Sequence, residues 1–162
     1  MKILCIIPAR SGSKGIPHKN IKLFHDKPLL AWSISQAQQS KYNMRIIVST
    51  DSEQYATIAN NHGAETPFLR PSKISQDLST DYECIKHCLD WLKNNDNYIP
   101  DIVLQLRPTQ PLRKIETIDT CLDIFIQNRN NKLFLKIIDK NLLVKYLILF
   151  IEIKNLILIS LL

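Results

Sequence analysis

Residues Ile7 to Asn20 read IPARSGSKGIPHKN and gather basic side chains with no acid among them. Arg10, Lys14, His18 and Lys19 lie in this stretch beside two of the chain's three glycines. A guanidinium binds phosphate through paired N–H donors, an ammonium adds compact charge, and glycine lets backbone N–H groups approach an anion. The pattern is neither GxxxxGK[ST] nor GxGxxG. It predicts a polyphosphate-binding turn; the alternative is a solvated loop whose cations face water.

Short apolar runs predict the strands that would position this turn. Lys2–Ile7 is a continuous apolar run and Arg45–Thr50 is β-branched and apolar, as suits strands buried in a sheet. The predicted strands cover Lys2–Ile7, Arg45–Thr50, a short Ala64–Leu69 and Asp101–Leu106.

Helical periods separate the strands. Asp26 is the predicted cap of a helix that has Pro28 in its first turn and runs to Ser40. Asp51 or Ser52 is the predicted cap of a helix to His62, which Gly63 stops. Two further helices are predicted, one starting at Ser79 or Thr80 with an apolar face of Tyr82, Ile85, Cys88, Leu89 and Leu92, and one covering Glu116–Gln127.

This alternation of strands and helices predicts an α/β layered fold with a parallel sheet. In such sheets, ligands bind beyond the carboxyl ends of the strands. Three polar segments follow those ends: the basic loop, Thr50–Ser52 and Arg107–Thr109. We expect them to meet at one edge and form a site. An N-cap role is favoured for Asp51 over contact with a metal, and His18, His62 and His87 are predicted at the surface.

The cysteines and the net charge exclude several classes. Cys84 and Cys88 are spaced i, i+4 but no second ligand pair follows, so buried reduced thiols are favoured over a zinc site. The chain has a formal net charge of +6, of which five lysines and two acids from Lys132 onward account for half. With no arginine-rich arm, no nucleic-acid partner is predicted. The five apolar residues before Pro8 are too few for a signal peptide, which predicts a cytoplasmic location.

The composition changes at about Lys132, so we predict a domain over 1–131 and an atypical tail over 132–162. The tail is built largely from Leu, Ile, Lys, Asn and Phe and contains no Gly or Pro. Glu152 and Lys154 interrupt its apolar run and argue against a membrane anchor. An amphipathic helix or an added strand is the next alternative. The favoured interpretation is a segment foreign to the fold, produced by reading an A+T-rich gene out of frame.

The motif IPAR, followed by GSKG and KN, resembles the N-terminal signature of the acylneuraminate cytidylyltransferases, the CMP-sialic acid synthetase family. Further stretches agree with that family in order and spacing over about residues 3–131. They are PLLAWSISQA, VSTDS, GAETPFLRP, ISQDLSTD and LQLRPTQPLR.

The resemblance implies a Rossmann-like, glycosyltransferase-A-like fold of three layers with a mainly parallel sheet, C-terminally incomplete in this chain. It also implies a reaction in which CTP and a nine-carbon 2-keto sugar acid give a CMP-sugar and pyrophosphate. Mg²⁺ is the implied cofactor, CTP and a sialic-acid-like sugar are the implied ligands, and the family forms homodimers. A non-catalytic nucleotide-binding remnant or partner subunit is the alternative.

The resemblance also implies roles for individual residues. Arg10 and Lys19 would contact the phosphates, with Lys19 near the α-phosphorus, and Asn20 would bind the sugar region of the nucleotide. The cradle would be shaped by Gly12, Ser13, Lys14 and Gly15. Cytosine or its ribose would be recognised by Arg70, Ser79, Thr80 and Asp81.

The chain departs from the family at two positions, Arg107 and Asp81, and again beyond Asn131. Arg107 stands where many relatives have Gln, which leaves a polar contact to the sugar substrate open, and Asp81 stands where a Ser is common. The sugar-acid pocket, the metal-binding Asp pair and most of the dimerisation element would lie beyond Asn131. If the chain ends with this tail, we expect weakened CTP binding, low or absent synthetase activity and poor solubility.

Overall fold

The computed structural model describes residues 1–128, 148–153 and 156–161. A five-stranded sheet is formed by β1 (Ile3–Pro8), β4 (Arg45–Ser49), β5 (Ile102–Leu106), β6 (Ile148–Ile153) and β7 (Leu156–Leu161), in the order β4-β1-β5-β7-β6. Only β6 is antiparallel to its neighbour. The predicted α/β fold with a mainly parallel sheet is therefore confirmed.

The central strand β1 is buried on both faces, and alternate residues enter different cores. Cys5 and Ile7 join the core that includes helices α1 (Leu29–Gln38) and α4 (Ile115–Asn128). Leu4 and Ile6 join the core under helix α3 (Asp81–Asp96). This alternation follows from the two-residue period of a strand, and it produces the three layers that were predicted.

Two helices begin where capping residues predict. Helix α2 (Glu53–Asn61) has Ser52 as its N-cap, with its hydroxyl accepting a hydrogen bond from the Tyr55 amide. Helix α3 has Thr80 as its N-cap in a capping box with Glu83. Of its predicted apolar face, Ile85, Cys88 and Leu92 are buried and Leu89 packs against them, but Tyr82 is exposed.

The predicted start of the first helix is wrong. Asp26 is not a cap: it lies in the turn of a small hairpin, β2 (Leu23–Phe24) with β3 (Lys27–Pro28), and α1 begins only at Leu29. The physical reason is Pro28, which disfavours helical backbone at the residue before it.

The predicted third strand is also wrong. Between Ala64 and Leu69 only Glu65 forms a bridge, to Ile47. The Glu65 amide donates to the Ile46 carbonyl, and the Val48 amide donates to the Glu65 carbonyl. A continued parallel ladder would next need an amide proton at residue 67, and Pro67 has none.

The predicted tail, 132–162, lies outside the described residues except for β6 and β7. These two strands extend the sheet, with β7 parallel to β5 from Ile102↔Ile157 to Leu106↔Leu161. They correspond to the added-strand alternative. The out-of-frame origin of the tail stays a prediction. In the described ranges, no helix is long and apolar enough to cross a bilayer.

Candidate functional site

Three loops meet beyond the carboxyl ends of β1, β4 and β5, as the topology predicts. The Ala9 amide donates to the Ser49 carbonyl at 2.9 Å, which holds the start of the basic loop against the end of β4. The Ser11 amide and hydroxyl donate to the Asp51 carboxylate at 2.7 and 2.9 Å. Asp51 is thus not the cap of α2, which is Ser52; its carboxylate fixes the basic loop.

A cleft with a cavity volume of about 220 Å³ opens between these loops. Its lining joins residues from the basic loop, from the segment before α3 and from the end of β5. The predicted site residues that line it are Arg10, Ser13, Lys19, Asn20, Arg70, Ser79, Thr80, Asp81 and Arg107. The structure therefore brings together residues that are nearly one hundred positions apart, while their binding roles stay predictions.

A second, more open cleft adjoins the first and shares Arg10 and Ser13 with it. Gly12 and Lys14 line this second cleft, whereas Gly15 lines neither. A Cβ atom added at Gly12 or Gly15 would meet nothing within 4 Å, and neither glycine has a positive φ. The backbone conformation alone therefore does not require these two glycines, and the space beside both positions is open.

The basic loop is not without counter-charge, contrary to the sequence-based expectation. Asp77, from the segment before α3, accepts from the Arg10 guanidinium at 2.7 Å and from the Lys14 ammonium at 2.5 Å. The Lys14 contact and then the Arg10 contact lower the pKa of Asp77 below its usual value. The compensating acid comes from 67 residues away, so no local reading of the loop could find it.

The two residues that depart from the family pattern form an ion pair with each other. The Arg107 guanidinium at the end of β5 donates to the Asp81 carboxylate at the start of α3. This pair connects two walls of the smaller cleft. Each unusual residue thus neutralises the charge that the other introduces.

Two deeper polar residues line the floor of the cleft. Arg70 is buried, donates to the Ser49 carbonyl at 3.2 Å and has an Nε with no hydrogen-bond partner among the described residues. Asn20 is also buried and donates to the Arg10 carbonyl at 3.0 Å. An unpaired buried donor is costly, so Arg70 is suited to a ligand that supplies an acceptor.

Gln36, which was not among the predicted site residues, holds the loop that follows β5. Its amide nitrogen donates to the carbonyls of Pro111 and Arg113, at 2.9 and 3.0 Å, and more weakly to that of Gln110. Its oxygen accepts from the Arg113 guanidinium at 2.7 Å. Gln36 is buried on α1, and a buried Gln on a helix is the one unusual feature that a sequence pattern could have flagged.

The three histidines predicted at the surface differ in burial. His18 is exposed, with Nδ1 3.2 Å from the Tyr55 hydroxyl. His62 and His87 are both half-buried; His87 packs edge-on against Phe68, and desolvation lowers its pKa. The four cysteines are buried free thiols, as predicted.

The acids near the clefts are each engaged with protein groups. Asp51 binds Ser11, Asp77 binds two cations, and Asp81 binds Arg107. Within the described ranges, no group of three or more His, Cys, Asp or Glu side chains could hold a metal ion. These residues therefore do not form a ready site for the Mg²⁺ that the resemblance implies.

Comparison with known proteins finds several sugar-acid cytidylyltransferases among the relatives. The chain is 45% identical over 112 residues to an N-acylneuraminate cytidylyltransferase of Escherichia coli O18:K1:H7, covering 69% of this chain and 25% of the relative. It is 40% identical over 134 residues to a pseudaminic acid cytidylyltransferase of Campylobacter jejuni, covering 83% and 57%. A CMP-N,N'-diacetyllegionaminic acid synthase of Legionella pneumophila is 45% identical over 124 residues, covering 76% and 53%. The chain thus spans from a quarter to just over half of these relatives' lengths.

Solved structures agree on the fold. A CMP:2-keto-3-deoxy-manno-octonic acid synthetase complexed with CTP superposes with a TM-score of 0.63 at 18% identity, covering 81% of this chain and 48% of that one. A cytidylyltransferase from Leptospira borgpetersenii gives a TM-score of 0.61 at 28% identity, covering 79% and 50%. The sequence model of the cytidylyltransferase family matches residues 4–147, past the predicted end of the resemblance at Asn131. The chain belongs to the cytidylyltransferase family.

Proposed function

We propose that this chain supplies the nucleotide-binding half of a cytidylyltransferase that joins CTP to a nine-carbon 2-keto sugar acid. The observation that carries the proposal is the smaller cleft, in which the cations of the basic loop face Arg70 and the start of α3. One side of the cleft suits phosphates and the other offers donors and acceptors for a base. The names of the relatives, which act on sialic, pseudaminic or legionaminic acids, support the sugar-acid class.

In the proposed reaction, the anomeric hydroxyl of the sugar attacks the α-phosphorus of CTP. A bond forms between that oxygen and the phosphorus, the bond to the bridging oxygen breaks, and pyrophosphate leaves. Arg10 and Lys19 would stabilise the charge on the phosphate oxygens, and Asn20 would hold the sugar region of the nucleotide. Catalysis of this kind depends on positioning and electrostatics more than on covalent chemistry of the protein.

Mg²⁺ and a cytoplasmic location remain part of this proposal as expectations, whereas the homodimer is a property of the family that we do not extend to this chain. The described residues do not form a metal site of their own, and we therefore assign no step to the ion. Which nonulosonic acid is used depends on residues outside the cleft described here.

The test is pyrophosphate release from CTP and Mg²⁺ with N-acetylneuraminic, legionaminic or pseudaminic acid. Turnover above background supports the enzyme, whereas CTP binding without turnover supports the non-catalytic nucleotide-binding alternative. Absence of both would refute the proposed site.

Arg10→Ala tests where the nucleotide binds. We expect CTP affinity to fall about tenfold or more, because a hydrogen bond to a charged group contributes about 1.5–3 kcal/mol and 1.4 kcal/mol corresponds to a factor of ten. Lys93→Ala, which removes an exposed cation near the end of α3, is the matched control and should leave affinity unchanged. Equal effects of the two substitutions in calorimetry would contradict a specific site at the basic loop.

A further inference from the structure

Asp77 holds the two cations of the basic loop in the way that a ligand anion would. Its Oδ1 contacts Arg10 and its Oδ2 contacts Lys14, so one carboxylate connects both. A bound phosphate group is expected to contact two such cations in the same way, with a different oxygen for each. The carboxylate and a ligand phosphate would therefore use the same donors.

The contact is exposed enough to be exchanged. The side chains of Arg10 and Asp77 are 32% and 34% exposed, and that of Lys14 is 83% exposed. Ion pairs in such positions are screened by solvent and contribute little each. A triphosphate carries several negative charges against the single charge of Asp77, so it would compete effectively for the same cations.

The segment that carries Asp77 also carries the predicted base-recognition residues. Asp77 lies two residues before Ser79 and three before Thr80, the N-cap of α3. The hydrogen bonds that the described residues 75–79 make are local, such as Gln76 amide to Ser79 hydroxyl at 2.9 Å and Ser79 amide to Gln76 carbonyl at 3.1 Å. Beyond those, Asp77 connects the segment to the basic loop. Exchange of its partners would therefore alter the segment that faces the base.

From these contacts we propose that Asp77 is an internal competitor for the anion site. Its carboxylate occupies the donors of Arg10 and Lys14 that would bind phosphate, and the binding of a polyphosphate displaces it. This inference rests on the proposed nucleotide site and adds a regulation of that site.

The test is the affinity of Asp77→Asn for inorganic tripolyphosphate, measured by calorimetry beside the unsubstituted chain. Asparagine keeps the shape but not the charge, so we expect binding to tighten by about three- to tenfold, a size set by the weakness of exposed ion pairs. Asp90→Asn is the matched control, since Asp90 is also an exposed Asp paired with a lysine, Lys86, but lines neither cleft. It adds the same unit of charge and should change the affinity by less than about twofold.

The outcomes separate this inference from the proposed function. If tripolyphosphate binds the unsubstituted chain and Asp77→Asn binds no tighter, Asp77 is not a competitor and the inference is overturned. The same holds if both substitutions tighten binding equally, because net charge would then explain the effect. If no variant binds tripolyphosphate, the anion site itself is refuted. Should Asp77→Asn fail to fold by circular dichroism, Asp77→Ser is tested in its place with the same expected result.

Discussion

Replacing Asp51 by alanine tests how strongly the basic loop depends on its contact with the end of β4. The Asp51 carboxylate accepts from the Ser11 amide at 2.7 Å and from the Ser11 hydroxyl at 2.9 Å. Hydrogen bonds to charged groups contribute about 1.5–3 kcal/mol each, and these are partly solvated. We therefore expect Asp51→Ala to lower the free energy of unfolding by about 2 kcal/mol, which is more than a tenfold change in the folding equilibrium.

Two further variants separate the two hydrogen bonds between Asp51 and Ser11. Asp51→Asn keeps one acceptor oxygen and should cost about half as much, while Ser11→Ala removes only the hydroxyl contact and should cost about 1 kcal/mol. Because both groups belong to one contact, Ser11→Ala should have little effect when Asp51 is already alanine. The assay is equilibrium unfolding in urea with an unchanged denaturant slope. An Asp51→Ala variant within about 0.5 kcal/mol of the unsubstituted chain, or fully additive costs, would refute the role assigned to this carboxylate.

Three other predictions follow from the caps and the buried thiols. Thr80→Ala removes the capping box of α3 and should lower the free energy of unfolding in urea by about 1 kcal/mol. Thr57→Ala, within α2, is the control and should lower it by less than half as much. Equal losses of stability would contradict the capping role. Hydrogen bonds from the Thr80 amide and hydroxyl lower the pKa of Glu83. The contribution of Glu83 to the free energy of unfolding is therefore present above the usual pKa of 4.5 and is lost as pH falls through the lowered pKa. Glu83→Gln should make stability less dependent on pH in the acid range, and an unchanged dependence would count against this linkage. The four cysteines should not react with a thiol reagent at pH 8 until denaturant is added, because they are buried and burial raises the pKa of Cys5 to about 12. Rapid labelling of the folded protein would contradict this, because it would show that one of the thiols is accessible.

The strands β1, β4 and β5, and the edge of the sheet at which their following loops meet, could be predicted because their signals are local. A continuous apolar run such as the one ending at Ile7 has few alternatives to a buried strand, and parallel pairing then brings the following loops to one edge. The two caps could be predicted to within one residue, as Asp51 or Ser52 and as Ser79 or Thr80, because Asp, Ser and Thr are all strongly preferred at that position. The same reasoning predicts that Arg107 and the basic loop lie at one edge of the sheet, where both line the smaller cleft.

The wrong predictions concern features that are decided by a residue far away in the sequence or by one residue alone. The counter-charge of the basic loop is Asp77, and nothing within the loop indicates which acid will reach it. Pro28 and Pro67 each decided an element against a longer pattern, one by delaying a helix and the other by ending a ladder. Asp51 was predicted as a cap, because its contact with the basic loop depends on Ser11, which lies 40 residues away in the sequence.

The contacts of Gln36 imply that the two sides of the cleft differ in conformational entropy. On the side that follows β5, backbone carbonyls at Pro111 and Arg113 are fixed by a buried amide, so that side loses little freedom when a ligand arrives. On the opposite side, the segment 75–80 is connected to the basic loop through exposed ion pairs. The entropy cost of ligand binding therefore falls mainly on that segment, and substitutions that stiffen it should improve affinity without adding a single contact.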